Sequence, residues 1–317
     1  MTNWIEPKVF AARHKDEEVR AASRSGGIFT ALSDTVFEKG GVVYGCVLDK
    51  RMHAVHVRAT NEAIRDLMRG SKYIQSQMGD SFKSIKSDLE AGRHVLFSGT
   101  SCQVAGLKRF LGKEWNNLLC VDIVCHGVPS PNVWKEYLKW QESKKNNKII
   151  KVDFRNKRDY GWREHIETLY FENGPMDSRV FTTLFYGHCT LRPSCYECPY
   201  KSVMHPGDIT IADYWGVEKA APELDDNKGV SLVLINNQKG EEIFGSIKEK
   251  MRWKVTRIED SMQLPLKNSC SKPAERSQFW YDFQTKNFEF IAKRYGGYSL
   301  KSRVKRKLGT IKRKLIK

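Results

Sequence analysis

A chain of 317 residues that is 40% hydrophobic and 11% aromatic has ample material for one large or two smaller globular cores. No basic, apolar and small-residue leader opens it, and no run of about 18 apolar residues interrupts it, so a cytoplasmic protein that spans no membrane is expected. The net charge of +17 is uneven: nine basic residues and no acid lie in 301–317, leaving +8 on the rest.

In chain order, Ser23-Arg24-Ser25-Gly26-Gly27 leads into a helix predicted over 26–38. Phe29, Leu32, Val36 and Phe37 recur there at helical spacing, and Gly40-Gly41 stops the helix. Its free N–H groups can take a phosphate, with Arg24 adding charge; an ordinary capped helix start is the alternative. Strands follow at 42–48 and 54–58, then Arg69-Gly70-Ser71-Lys72-Tyr73, then a helix over 80–91 ending at Gly92. The strand 94–98 runs into Gly99-Thr100-Ser101-Cys102-Gln103, which opens a helix through Leu111. This is a second strand-to-helix junction of the kind that favours phosphate. No Gly-x-Gly-x-x-Gly is present, so a Rossmann nicotinamide site is not supported.

A buried strand at 118–125 and a Pro129-Ser130-Pro131 turn precede a helix over 131–141. The polar run 143–148 then marks a boundary, dividing the chain into regions 1–142 and 143–296 with a basic tail at 297–317. Beyond it, strands are predicted at 149–155, 166–171, 208–212 and 230–236, with helices at 239–250 and 275–293. Arg155 and Lys157 fall on one side of an extended segment and can grip an anion or simply face solvent. Asp208 and Asp213 sit at the ends of a short apolar strand, where carboxylates commonly bond to loops; a catalytic role is the alternative. Alternating strands and helices give an α/β fold, a mixed or mainly parallel sheet flanked by helices. In the tail, Val304, Leu308, Ile311 and Leu315 line one helical face among basic residues. That pattern suits a helix on an anionic membrane surface, or else a solvated tail; no nucleic-acid module accompanies it.

Eight cysteines in a reducing compartment read as thiols or metal ligands rather than disulfides. Cys189, Cys195 and Cys198 fall within ten residues, and Pro199 follows the last. Three soft thiolates on a short, turn-rich segment suit an iron–sulfur cluster or zinc, and the Cys-Pro step favours iron–sulfur. Cys125, in Val-Cys-His-Gly-Val-Pro, is the candidate fourth ligand, with His126 beside it as a hydrogen-bonding neighbour or a ligand. Cys46, Cys120 and Cys270 read as packing residues.

The ordered blocks SRSGGIFTAL, GGVVYGCVLD, LMRGSKYIQSQMG, VLFSGTSCQVAGLK, VDIVCHGVPSPNVW, VDFRNKRDYGW, CTLRPSCYECPYK and GDITIADYWGV run from Ser23 to Val217. In them the chain resembles the beta-subunit family of coenzyme F420 hydrogenases and dehydrogenases, with the likeness reaching to about Val255. The resemblance implies an oxidoreductase carrying FAD and a 4Fe–4S cluster. Carried over, the cluster ligands are Cys125, Cys189, Cys195 and Cys198. The flavin site is Ser25, Gly26, Gly27, Ser71, Lys72, Gln75, Gly99, Thr100, Cys102, Gln103 and Arg155, with Cys102 the catalytic candidate beside the isoalloxazine.

Two departures stand out. The ferredoxin-like stretch that opens many bacterial relatives is not found ahead of Ser23, so a separate acidic carrier such as a ferredoxin is expected to deliver electrons. Thr100-Ser101-Cys102 also stands where Thr-Pro-Cys is usual, which frees an N–H and loosens the turn. Bacterial relatives in surface-polysaccharide pathways suggest an organic substrate there, with the protein on the inner face of the membrane. The rival expectation is a zinc-stabilised, non-redox protein that binds a nucleotide-sugar or a glycan enzyme.

Overall fold

The computed structural model describes residues 6–299. Its strands are β1 (Lys8–His14), β2 (Val42–Leu48), β3 (Ala54–Ala59), β4 (Val95–Thr100), β5 (Leu118–Ile123), β6 (Ile149–Asp153), β7 (Glu167–Phe171), β8 (Gly174–Ser178), β9 (Ile209–Asp213), β10 (Ser231–Ile235) and β11 (Met251–Thr256). Eight of them form a mixed sheet in the order β11-β1-β10-β9-β5-β4-β2-β3, while β6, β7 and β8 form a separate antiparallel sheet. The centre, β2, β4, β5 and β9, is parallel; β3 at one end and β10, β1 and β11 at the other pair antiparallel.

Central strands covered on both faces need near-continuous apolar runs, and β10 is buried at every position. The helices Ile28–Glu38 and Gln238–Ile247 cover one face through Ile28, Ala31, Leu32, Phe244 and Ile247. Ser81–Glu90 and Ser101–Leu111 cover the other through Ile85, Leu89, Val104 and Leu107. A second core joins the β2–β3 hairpin to the small sheet and to the helices Pro131–Lys145, Val180–Tyr186 and Phe288–Arg294.

The predicted strand 42–48 coincides with β2, and the helix predicted over 26–38 begins two residues later. Both ranges either side of 143–148 feed the large sheet, since β9, β10 and β11 lie beyond the boundary. The helix predicted over 275–293 is two, Arg276–Thr285 and Phe288–Arg294. The Asn287 side chain accepts the Phe290 N–H and starts the second. β1, β8 and β11 were not predicted. The basic membrane-helix candidate at 301–317 lies outside the described residues.

One polar cluster locks the sheet to its helices. Asp88, on Ser81–Glu90, accepts from Tyr44 Oη at 2.7 Å, Arg58 Nε at 2.7 Å and Arg93 Nε at 2.7 Å. Burial alone would raise its pKa; the Arg58, Tyr44 and Arg93 bonds outweigh that and hold it at about 2. A depressed carboxylate stabilises the fold fully above its unfolded value near 4, and that stability is lost as pH falls through about 2. Screening around the half-exposed Arg58 and Arg93 reduces the contribution to about 1–2 kcal/mol. Asp88→Asn is therefore expected to lower stability by about that amount at neutral pH. Urea titrations at pH 7 and pH 2.5 check it, since the gap between wild type and variant must shrink at the lower pH.

Candidate functional site

The carboxyl ends of β1, β2, β4, β5 and β9 share one edge of the sheet, the edge where open α/β sheets gather ligands. At β4 the chain turns into Ser101–Leu111 through a capping box. The Thr100 N–H donates to Gln103 Oε1 at 2.9 Å, and Gln103 Nε2 donates to Ser76 Oγ at 2.8 Å. Gln103 thus braces the 70–78 loop against the helix start. Ser101, where the resemblance expects proline, has Oγ 3.1 Å from His205 Nδ1, which lies 3.0 Å from Asp122 Oδ2. Both contacts use one ring nitrogen, so these three are a brace and not a nucleophile–base relay.

Cys102 is exposed, with Sγ 3.1 Å from Thr100 Oγ1. Cys125 follows β5 in a loop laid against the cysteine segment. The Ser130 N–H donates to the Thr190 carbonyl and the Arg192 N–H to the Val128 carbonyl, both at 2.9 Å. Gly127, at φ 152°, makes the close approach feasible: a Cβ there would stand 2.9 Å from Leu191 and 3.6 Å from the Cys195 Cβ. Lys201 Nζ donates to the Cys125 carbonyl, and the Cys198 N–H to Ser269 Oγ at 3.0 Å.

Neighbouring thiols act on Cys125 and Cys195. Burial pushes Cys125 up to about 12; Lys201 opposes the rise, and Cys195 and Cys102 add to it. Cys195 is likewise raised, by burial first and then by Cys198 and Cys102. Cys189 differs. It packs in the second core with Sγ 4.0 Å from Glu275 Oε1, and burial followed by the Glu275 charge pushes it up to about 11. Charge on Cys102 and Cys195 thus acts on Cys125, and charge on Cys198 and Cys102 acts on Cys195, which also packs against Cys270, while Cys189 lies towards Glu275 and Arg276. Cys270 packs in a small core with Phe185 and Leu191, as expected, and its Sγ also donates to the His126 carbonyl at 3.2 Å.

The residues expected around a flavin are dispersed along the edge. Ser71, Lys72 and Arg155 line an open cavity of about 1470 Å³ together with Arg24, Trp134 and Lys157. Ser25, Gly26, Gly27, Gln75, Gly99, Thr100, Cys102 and Gln103 lie outside its lining. The Gly26 N–H donates to Ser231 Oγ at 2.9 Å, and a Cβ on it would run into the Ala12 carbonyl, so Gly26 is a close-packing glycine. Ser25 Oγ donates to the Val230 carbonyl at 2.7 Å.

The expected anion grips are also largely occupied. Lys72 Nζ donates to the carbonyls of Leu67, Met68 and Arg69, and burial lowers its pKa to about 8. β6 ends at Asp153 and Lys157 begins a short helix, so Arg155 and Lys157 do not share one extended face. Lys157 Nζ holds the Arg20 and Ser25 carbonyls and is lowered to about 7 by burial, with Arg24 and Arg20 adding to the shift.

Arg155 donates to Asp213 Oδ2 at 2.6 Å and to the Trp162 carbonyl at 3.0 Å. Arg24 holds the carbonyls of Arg155 and Trp162, and its Nε lies 4.0 Å from Asp213. Burial alone would raise the Asp213 carboxyl; Arg155 and Arg24 outweigh it and keep the group below its ordinary value. Trp162 Nε1 completes the cluster at 2.7 Å from Asp213 Oδ1, and its ring stacks on Trp215 with centroids 4.9 Å apart. Sequence spacing offered no sign of this Arg–Asp–Arg knot, although each of its residues stood in a block already singled out.

No helix among the described residues is long and apolar enough to cross a membrane. No individually curated protein matches the chain. The structure resembles a chain of the F420-reducing NiFe hydrogenase complex of Methanosarcina barkeri. It does so over 80% of this chain and 84% of that one, with a TM-score of 0.54 and 20% identity, which shows a shared fold. Residues 9–83 match the N-terminal model, and residues 92–261 the C-terminal model, of the coenzyme F420 hydrogenase/dehydrogenase beta subunit. With both models matched along most of its length, the chain belongs to the coenzyme F420 hydrogenase/dehydrogenase beta-subunit family.

Proposed function

We propose that this chain is an iron–sulfur flavoprotein oxidoreductase whose cluster is held by Cys102, Cys125, Cys195 and Cys198, with FAD in the cavity lined by Ser71, Lys72 and Arg155. The observation that supports the reading is that Cys102 and Cys195 act on Cys125, and Cys198 and Cys102 on Cys195, from three separate chain segments, while the thiol of Cys189 is influenced by Glu275 and Arg276. Burial first, and neighbouring thiols second, disfavour ionisation of Cys125 and Cys195, a condition that a cationic iron core relieves. Their chemistry fits a 4Fe–4S cluster, which supplies one-electron transfer when bound. A cavity of about 1470 Å³ is roomy enough for FAD, and Ser71 with the rim cations Lys50, Arg51, Lys151 and Arg158 would hold its diphosphate.

In this reading the chain's own residues position and insulate. Gly127 lets the two cysteine loops close on each other, and Ser130 and Arg192 lock them with backbone bonds. Lys201, bonded to the Cys125 carbonyl, places a fixed positive charge beside the thiolates and favours electron uptake. The stacked Trp162 and Trp215, with His165 and Tyr186 beyond them, shield the sheet edge from water. A chain body with eight excess positive charges suits an acidic, ferredoxin-like donor. The finer parts of the proposal are an organic substrate in a surface-polysaccharide pathway and attachment of the basic tail to an anionic membrane.

Anaerobic purification tests the reading. About four iron and four sulfide per chain, one flavin, and bleaching of the visible absorption by dithionite are expected. A colourless protein with one zinc on the four thiolates and no flavin overturns it in favour of a non-redox binding protein.

A further inference from the structure

Beside the four-cysteine group stands a second set of metal-binding atoms. His126 Nε2 lies 2.8 Å from His188 Nε2 and 3.5 Å from Cys270 Sγ, and one ligand atom from each residue falls within 4.8 Å of the others. We propose that His126, His188 and Cys270 form a mononuclear site for a borderline divalent ion such as Zn²⁺, next to Cys195, which packs against Cys270, but distinct from a cluster held by the other cysteines.

The geometry is close to that of a tetrahedral centre. Metal–nitrogen and metal–sulfur bonds of about 2.0 and 2.3 Å put two nitrogens about 3.3 Å apart and a nitrogen and a sulfur about 3.6 Å apart. The His126–Cys270 separation already meets this, His188 and Cys270 lie within 4.8 Å, and the two imidazoles need to open by about half an ångström. Two Nε2 atoms facing each other can share one proton, whereas a metal takes a lone pair from each. His188 also adopts φ 63°, a left-handed backbone that few non-glycine residues hold, and it turns the ring towards His126.

The surroundings fix all three groups. The His188 carbonyl accepts from Tyr196 Oη at 2.6 Å, and Tyr196 Oη accepts from Arg276 Nε at 2.9 Å. Cys270 is buried, and its neighbour Ser269 is bonded to Cys198. His126 and His188 are only half-buried, which leaves the fourth coordination position to water. Two imidazoles and one thiolate select zinc or a similar ion over calcium or magnesium. The ion would clip together three segments far apart in sequence: the loop after β5, the loop after the helix Val180–Tyr186, and the strap around Cys270.

The test uses the full-length chain, purified anaerobically from cells supplied with Zn²⁺. About one zinc per chain is expected in addition to any iron. His188→Ala and Cys270→Ser are each expected to lower zinc content at least tenfold, while iron and circular dichroism stay unchanged. Zinc-edge X-ray absorption on the wild type should show two nitrogens and one sulfur as protein ligands, and this reads the site even where a variant does not fold. Zinc absent from the wild type, zinc held by sulfur alone, or zinc retained in both variants overturns the proposal. Iron lost together with zinc in both folded variants also overturns it, because these residues would then serve the cluster. A wild type with one zinc on two nitrogens and one sulfur but no iron would sink the oxidoreductase reading and leave this site standing.

Discussion

Replacing Cys102 with serine is expected to strip the protein of its iron, and replacing Cys189 with serine is not. A serine oxygen is harder and less readily ionised than a thiolate, so removing one of four soft ligands undoes cluster binding. Iron in Cys102→Ser or Cys195→Ser should fall from about four per chain to below about one, with the visible absorption lost. Cys189 faces Glu275 and Arg276 in the second core, so Cys189→Ser should keep its iron and show only a small drop in melting temperature. The reverse outcome, iron kept in Cys102→Ser and lost in Cys189→Ser, would return Cys189 to the ligand set that the family resemblance implies. Anaerobic iron analysis of the three variants decides between them.

The second large effect is structural. Asp213→Ala leaves Arg24 and Arg155 buried without the carboxylate on which both guanidinium groups converge. Removing one partner from a buried pair costs about 3–5 kcal/mol, because the remaining charge stays desolvated. Asp213→Asn keeps the shape and can still accept from Trp162 Nε1, so a smaller loss is expected than for alanine. The pH dependence has a definite sign. Because the Asp213 carboxyl is held low, its contribution is present above the ordinary carboxylate range and fades as acid protonates it. Urea unfolding followed by Trp fluorescence, which Trp162 and Trp215 should dominate around this knot, gives the values. A loss below about 1 kcal/mol for alanine would mean that water replaces the carboxylate.

Much of the fold was legible because local chemistry and tertiary need agree there. The helix after Gly26-Gly27, the strand Val42–Leu48 and the junction at Thr100 carry apolar periodicity and caps that work in any context. β1 and β11 were missed for a physical reason. β11 is an edge strand whose middle residues are exposed, and β1 draws its burial from β10 and β11, which follow it by more than 200 residues. The break at Asn287 was missed because aromatic spacing runs on across it.

The same division applies to the site. By itself the sequence determined the thiolate-rich chemistry, the excess positive charge, the family and the blocks from which the site is drawn. It could not determine which cysteine side chains share a space. Cys189 stands only six residues from Cys195, yet the backbone between them turns it into an aromatic core. Cys102 lies more than 90 residues upstream of Cys195, at a capped helix start after β4, yet its charge acts on Cys125 and Cys195. Nor did spacing show that Arg155 and Arg24 are committed to Asp213, or that Cys270 lies against His126. Those facts belong to the tertiary structure, because side-chain direction and long-range pairing are settled by packing between segments that carry no record of one another.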